Sequence, residues 1–364
     1  NMVPDVALSN RNLIINGAMQ VAQRGTSFTG IGGSAGTYSC DRWRHGFTAT
    51  TARCTLSQDT NAPNGFSNSL KVSITTAEAS LNAASGCGIS QPIEGQNLQM
   101  LAKGTADAKQ VTVSFWVKTN KTGTFQFELQ DSNNARNQVL SYTVNAADTW
   151  EYKTATFDGD TTGAFQNDAG ASAYLQFFLF GGTNYTSGTV QSTWGSRSNA
   201  NLMSPTMPNL ADSTSNYWQI TGFQLEVGSV ATPFEHETFG ETLQKCQRYY
   251  QKSYDVDSAP GSTDNSNYVC MIQMANSATS TANAGARTRF VQRLRAAPSV
   301  TVYAYDGTSG NLNYSRHSTA TSEVAATVSN IGSTSVLVYT GSASGMTAGD
   351  AIEVFFHYTA DAEL

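Results

Sequence analysis

The chain has 364 residues, too many for one ordinary core and comfortable for two domains. Hydrophobic residues make up 39% and charged residues only 13%, with 31 glycines, which excludes a disordered chain and a charge-laced helical one and favours short strands joined by polar turns. A net charge of −6 and a pI near 5.2 argue against duplex DNA or an anionic membrane as the main partner, because phosphate surfaces are met by excess Lys and Arg.

In chain order, residues 1–10 read as an N-terminal lead or attachment segment. Leu13, Ile14 and Ile15 then open an apolar run that Asn16-Gly17 interrupts, read as a short first strand or edge element. A polar loop from Gly25 to Gly36 feeds Tyr38-Ser39-Cys40-Asp41-Arg42-Trp43, where Trp43 is expected to anchor a core or cleft with Asp41 or Arg42 at its edge. Over 69–75 and 110–119 the period is two, with Val111, Val113, Phe115 and Val117 on one face and Trp116 on the other. Phe125, Phe127 and Leu129 repeat the alternation, and Asn120-Lys121-Thr122-Gly123 between them predicts a hairpin. Further strands are expected over 139–144, 150–157 and 174–180, followed by a long polar loop over 184–215 of the kind that is functional or stabilised by a neighbour. Trp218, Ile220 and Gly222 keep a period of two, and Phe223, Leu225 and Val227 keep it one residue out of step, so this strand bulges at Gly222.

A helix is expected next, capped by Thr238, with Glu241 four residues before Lys245 and with Leu243, Cys246, Tyr249 and Tyr250 on one side. That stripe packs either on its own domain or on another subunit. Residues 255–364 read as a smaller β-domain with strands over 268–274, 287–294, 299–305, 325–328, 335–340 and 351–358. No fixed-period repeat is visible, which weighs against a propeller or solenoid.

Few residues advertise chemistry. The histidines at 45, 236, 317 and 357 are scattered and no nucleophile-elbow signature accompanies them, so no catalytic residue is expected. Cysteines at 40, 54, 87, 246 and 270 show neither CxxC spacing nor a disulfide framework, and no Cys/His pair has zinc spacing. Asp158-Gly159-Asp160-Thr161-Thr162-Gly163 begins like a calcium loop but carries Ala169 where a bidentate acid is needed; it reads as a turn, with structural calcium as the alternative and no other cofactor. Acid pairs for glycoside hydrolysis have no sequence specificity among 27 acids. Sugar binding needs aromatic platforms beside amides and hydroxyls. The chain offers Trp116, Trp150, Tyr174, Tyr185 and Trp194, with Asn133, Asn134, Asn167 and Asn184 in turns; aromatics on strands are more often core, so the candidates are Trp116, Tyr185, Trp194 and Asn184, with Tyr185 and Trp194 in loops. Arg287, Arg289, Arg293 and Arg295 alternate opposite Phe290 and Leu294, giving a solvated face or, more sharply, a basic patch for anionic glycans or subunit contacts. No run approaches about 20 apolar residues, so no membrane insertion is expected; the first residues lack secretory-signal grammar.

The segment from Trp218 through Gly228 into Thr232-Pro233-Phe234-Glu235-His236 resembles the closing strand of jelly-roll sandwiches related to carbohydrate-binding modules. Together with Asn12-Leu13-Ile14-Ile15-Asn16-Gly17-Ala18-Met19-Gln20, Asp41-Arg42-Trp43 and Cys246-Gln247-Arg248-Tyr249-Tyr250, it makes the chain similar to bacteriophage virion appendage proteins, chiefly tail-fibre and receptor-binding proteins. The resemblance spans roughly residues 8 to 253, and more loosely the C-terminal domain. It implies an all-β fold: a jelly-roll β-sandwich over 11–237, a short linking helix over 238–254 and a smaller C-terminal β-sandwich over 255–364. It also implies a non-enzymatic homotrimer on the virion surface, made in the bacterial host cytoplasm, contacting other virion proteins and binding a host cell-surface glycan or receptor, with no nucleic acid. Without heptads or a β-helical shaft, the expected shape is a globular head or decoration. The alternatives are a capsid or tail structural protein contacting only virion proteins, and a monomeric carbohydrate-binding module.

Overall fold

The computed structural model describes residues 10–33, 36–274, 281–316, 321–344 and 349–364. Nearly all of the expected N-terminal lead, and His317, lie outside them. The chain divides into two compact units, one comprising the residues up to Ala22, Thr26–Thr242 and Leu364, the other Gln23–Gly25 and Leu243–Glu363. Among the described residues no helix is long and apolar enough to cross a membrane.

The strands of the first unit are β1 (Ser27–Ile31), β2 (Thr37–Tyr38), β3 (Arg44–Thr48), β4 (Arg53–Asp59), β5 (Ser69–Thr76), β6 (Gly86–Glu94) and β7 (Val111–Thr119). They continue as β8 (Gly123–Asp131), β9 (Arg136–Val144), β10 (Glu151–Phe157), β11 (Ala171–Gly181), β12 (Gly195–Ser196) and β13 (Tyr217–Val227), with a single helical turn, α1 (Thr183–Thr186), after β11. Two antiparallel sheets result, ordered β1-β4-β5-β13-β7-β10 and β12-β9-β8-β11-β6-β3-β2, and chain-order neighbours repeatedly fall in opposite sheets, giving a jelly-roll sandwich. Alternation fills the space between them: Val111, Val113, Phe115 and Val117 from one sheet meet Ile89, Phe125, Phe127 and Phe177 from the other. Phe127 stacks on Phe177 at 5.1 Å, and the buried Trp218 indole donates 3.0 Å across the core to the Tyr142 hydroxyl.

Two local expectations are corrected. The β7–β8 turn is no hairpin: β7 pairs with β10 and β13 while β8 pairs with β9 and β11, so the turn carries the chain from one sheet to the other. The turn is tied to β13 instead, Thr119 Oγ1 donating to the Tyr217 carbonyl at 2.6 Å and Asn120 Nδ2 to Asn216 Oδ1 at 3.0 Å. Nor do residues 13–15 form a strand. Asn12 Nδ2 donates to the Phe223 carbonyl at 2.9 Å, Asn12 Oδ1 accepts from Leu225 at 3.1 Å, and Gly17 accepts from Phe223 at 2.9 Å, so side chains pin a turn onto β13. They grip the strand where it bulges: pairing to β7 slips between Thr221 and Gln224, and Gly222 takes φ +59°. Trp43 is a core residue, its indole donating to the Asn16 carbonyl at 3.1 Å.

Helix α2 (Phe239–Gln247) opens with a reciprocal cap, Thr238 Oγ1 accepting from the Glu241 N–H at 3.3 Å and Glu241 Oε2 accepting from the Thr238 N–H at 2.9 Å. The helix is shorter than the expected stripe. Leu243 and Cys246 belong to it, but Tyr249 lies beyond and Tyr250 opens strand β14 (Tyr250–Lys252). Strands β15 (Val269–Met274), β16 (Thr281–Arg289), β17 (Ser299–Tyr303), β18 (Asn311–Arg316), β19 (Ser322–Ala325), β20 (Thr327–Ser329), β21 (Ser335–Ser344) and β22 (Ala351–Asp361) complete the second, smaller β-unit. Its axis is β22, flanked by β15 and β18 along its first half and by β14 and β17 along its second, while β16, β21 and β20 form a separate sheet.

Candidate functional site

On β6, Cys87, Ile89 and Ile93 enter the core, which leaves Gly86, Gly88 and Ser90 facing outward. Pairing sets Gly46 of β3 and Phe178 of β11 on either side of Gly88, so two adjacent positions of the outer face carry no side chain and a trough opens. Gly88 has no alternative there, because a Cβ would lie 2.7 Å from the Phe177 carbonyl and 2.9 Å from Gln176 Nε2. One row further, Arg44, Ser90 and Gln176 stand side by side across three strands, and Tyr174 faces Gln130 in the row beyond. The part of the groove lined by Arg44, Ser90, Gln130, Ser132, Tyr174 and Gln176 holds about 430 Å³. A continuation of about 210 Å³ shares Gly46, Gly88 and Gln176 and runs between Thr48 and Tyr185.

The long 184–215 segment builds the far wall. Leu202 and Met203 pack with Val139 and Phe178 in a small apolar cluster on the outside of the sheet. Arg197 is fixed by Glu128, a fully buried carboxylate on β8, through contacts of 2.8 and 3.1 Å, and Asn137 supplies a third donor at 2.8 Å. The Tyr185 ring lies over Gly86, where a Cβ would come within 3.2 Å of it. Next to this end, buried Glu78 ties two loops together, accepting from the N–H groups of Thr51 at 2.6 Å and Ala52 at 3.2 Å and from the Ser85 hydroxyl at 2.9 Å. Burial by itself would raise this carboxyl, but hydrogen bonds from Thr50, Ser85 and the backbone N–H groups of Thr51 and Asn82 outweigh it and bring it down from 4.5 to about 2.

The groove's polar side chains contrast with this frame. Arg44, Ser90, Gln130, Tyr174 and Gln176 are all half-buried, yet among the described residues none of these side chains has a hydrogen-bond or ion-pair partner. Half-buried polar groups with no protein partner are poised to meet a ligand's hydroxyls or charges. Among the described residues no Asp, Glu or His lines either part of the groove.

The sequence-predicted residues are scattered relative to it. Tyr185 stands in the wall; Asn184 is exposed beside it on α1, with its N–H bound to the Ala83 carbonyl at 2.9 Å. Trp116 is on the outer face of the opposite sheet, against Tyr152 at 5.3 Å. Trp194 is half-buried as a cover, its indole donating to the Asp158 carbonyl at 2.7 Å and its ring lying 5.3 Å from Lys103 Nζ. That lysine also fills the turn at 158–163, where calcium is the alternative reading. Its ammonium sits 2.6 Å from Asp131 and 2.9 Å from Asp160, and donates to the carbonyls of Thr162 and Gly163 at 2.8 and 2.7 Å, occupying the place a cation would need. Asp160 is paired again by Arg136 at 2.8 Å.

The arginine row does not form. Strand β16 ends at Arg289, after which Phe290 and Leu294 are buried and their N–H groups turn to the carbonyls of Thr334 and Ser333. Arg287, Arg289 and Arg293 are exposed, whereas Arg295 folds back to donate to the Ala362 and Glu363 carbonyls. His45 is buried in the first unit; His357 is buried in the second, stacked on Tyr254 at 3.9 Å; His236 lies against Phe234 and Phe66. No disulfide joins any of the five cysteines, and only Cys270 is exposed.

No protein-family model matches the chain, and no curated protein does. Among solved structures it is similar to the enzymatically active domain of bacteriophage CBA120 tailspike protein 4, at 12% identity and TM-score 0.32 over 60% of this chain, and it spans only 21% of that chain's length. It is similar also to a family 11 carbohydrate-binding module from Clostridium thermocellum in complex with a β-1,3-1,4-mixed-linked tetrasaccharide, at 12% identity and TM-score 0.28, over 54% of this chain and 91% of that one. A third likeness is to TmCBM61 in complex with β-1,4-galactotriose, at 10% identity and TM-score 0.29, over 60% and 100% of the two chains. Likenesses this distant carry no functional argument, and the reading of the groove stands on its own geometry.

Proposed function

We propose that the first unit binds a host-surface glycan in the groove on the outer face of the β12-to-β2 sheet, and that the chain serves as a non-enzymatic bacteriophage appendage. One observation carries the binding reading: Arg44, Ser90, Gln130, Tyr174 and Gln176 surround a glycine-floored trough, half-buried and without protein partners among the described residues. A cleft of about 430 Å³ is the size of a small-ligand site. Tyr174 offers an apolar ring face, and the two glutamines and Ser90 offer donors and acceptors for sugar hydroxyls. A lining without Asp, Glu or His among the described residues supports holding a glycan over cleaving it, because glycoside hydrolysis ordinarily needs two acids.

The appendage context rests on the resemblance carried by Asn12–Gln20, the 218–236 segment and Cys246–Tyr250. In this reading the protein sits on the virion surface as a homotrimer among other virion proteins, where three linked shallow sites gain avidity from weak contacts. Glycan-array binding of the wild type, Tyr174→Ala and Gln176→Ala, with light scattering of each, tests both parts. Binding that falls about 10-fold in each variant while the fold is kept supports the groove, since each loses one or two ligand contacts. Undiminished binding in both variants refutes it, and a persistent monomer refutes the trimer.

A further inference from the structure

The uncommitted groups in the groove are not electrically equivalent. Ser90, Gln130, Tyr174 and Gln176 are neutral, whereas Arg44 brings a full positive charge. The second arginine, Arg197, is already answered by Glu128 at 2.8 Å and donates also to Asn199 Oδ1 at 2.9 Å. With no acid in the lining among the described residues, Arg44 leaves its charge unanswered there, at the β3 edge of the groove. A half-enclosed guanidinium has lost part of its water, and an anion arriving with the ligand restores the missing interaction.

Geometry narrows the anion. Arg44, Ser90 and Gln176 are cross-strand partners on β3, β6 and β11, so Arg44 stands two strand spacings, roughly 10 Å, from Gln176. Tyr174 and Gln130 lie in the adjacent row. That span lets one sugar ring rest by Tyr174 with its hydroxyls on Gln130 and Gln176 while the acid group of the same or the next residue reaches Arg44. The guanidinium presents two parallel N–H groups, a fork that matches the two coplanar oxygens of a carboxylate.

We propose that the groove selects acidic glycans, clasping the carboxylate of a uronic-type or sialic-type sugar with Arg44. This inference rests on the groove being the glycan site. The test is calorimetric binding of a panel of uronic and sialic oligosaccharides, each beside its carboxyl-reduced form and a sulfated neutral sugar, to wild type, Arg44→Gln, Arg44→Lys and Tyr174→Ala, with thermal midpoints as the folding control. Wild type is expected to favour at least one acidic sugar over its reduced form by about 10-fold or more, less so at high salt. Arg44→Gln brings the acidic sugar to the level of the reduced one, and Arg44→Lys keeps the salt dependence but loses most of the preference. Tyr174→Ala weakens both forms alike.

Equal binding of acidic and reduced forms by wild type, or an unchanged preference in Arg44→Gln, overturns the carboxylate while Tyr174→Ala still reports on the groove. Stronger binding of sulfated than of carboxylated sugars overturns it too. Absence of binding to every panel member overturns the inference and the groove reading together.

Discussion

Lys103→Met isolates what holds the centre of the first unit's turn region. In the wild type the ammonium, only 4% exposed, meets Asp131 at 2.6 Å and Asp160 at 2.9 Å and satisfies two backbone carbonyls. Removing it leaves Asp131, fully buried, with hydrogen bonds from Asn133 and Asn134 and only the longer-range field of Arg136, whereas Asp160 keeps Arg136 as a direct partner. Breaking a buried pair from one side costs about 3–5 kcal/mol, and because methionine keeps most of the side chain's apolar volume the expected loss is about 3 kcal/mol. Urea unfolding followed by tryptophan fluorescence and circular dichroism measures it, with an unchanged m-value as the two-state check. Asp131→Asn in the Lys103→Met background should recover about half, since the orphaned charge is gone. In Lys103→Ala the two carboxylates and two carbonyls face an empty space of hard oxygen ligands, so millimolar calcium should raise that variant's midpoint and leave the wild type unmoved. A loss below about 1 kcal/mol, or no recovery from Asp131→Asn, would refute charge pairing as the source of the stability.

Glu78 gives the acid response: its carboxyl is lowered in the folded state from 4.5 to about 2, so its contribution is present in full above pH 4.5 and fades as pH falls toward 2. Glu78→Gln should cost about 2 kcal/mol at neutral pH and flatten the decline of stability across that acid window, read from urea midpoints against pH. Gly222→Ala forces a side chain into a φ of +59° and places a Cβ 2.6 Å from the Phe66 ring, so a loss of about 2 kcal/mol is expected in the same assay; a loss of only a few tenths would show that the bulge relaxes.

Where local pattern and tertiary demand agree, the sequence is legible. Val111, Val113, Phe115 and Val117 alternate because their strand buries one face, and Gly222 breaks the alternation because the strand bulges there. The turn after Thr119 reads the same whether its flanking strands pair or part. What separates them is the pairing of β7 with β10 and β13, formed with residues far along the chain. The arginine row was misleading because alternation continues past Arg289 in sequence although Phe290 and Leu294 bend the backbone inward. The groove was hidden for a related reason. Arg44, Ser90, Tyr174 and Gln176 come from three strands, each an ordinary outward polar position by itself, and the glycines between them signal a trough only once β3, β6 and β11 lie side by side. Lys103 offers no local sign either, its partners Asp131 and the Thr162 carbonyl lying 28 and 59 residues away.

The grip of the N-terminal turn on β13 has a consequence for the order of assembly. Asn12 binds Leu225 across 213 residues, and Arg11 binds Glu235 across 224, so these bonds cannot form until nearly the whole first unit has left the ribosome. Until then the segment around Asn12 waits without its strand. The sheet that β13 completes, joining β5 to β7, stays open at its middle over the same interval. Closure of the sandwich is therefore a late event in the folding of the first unit, in which the turn around Asn12 locks the unit's last strand.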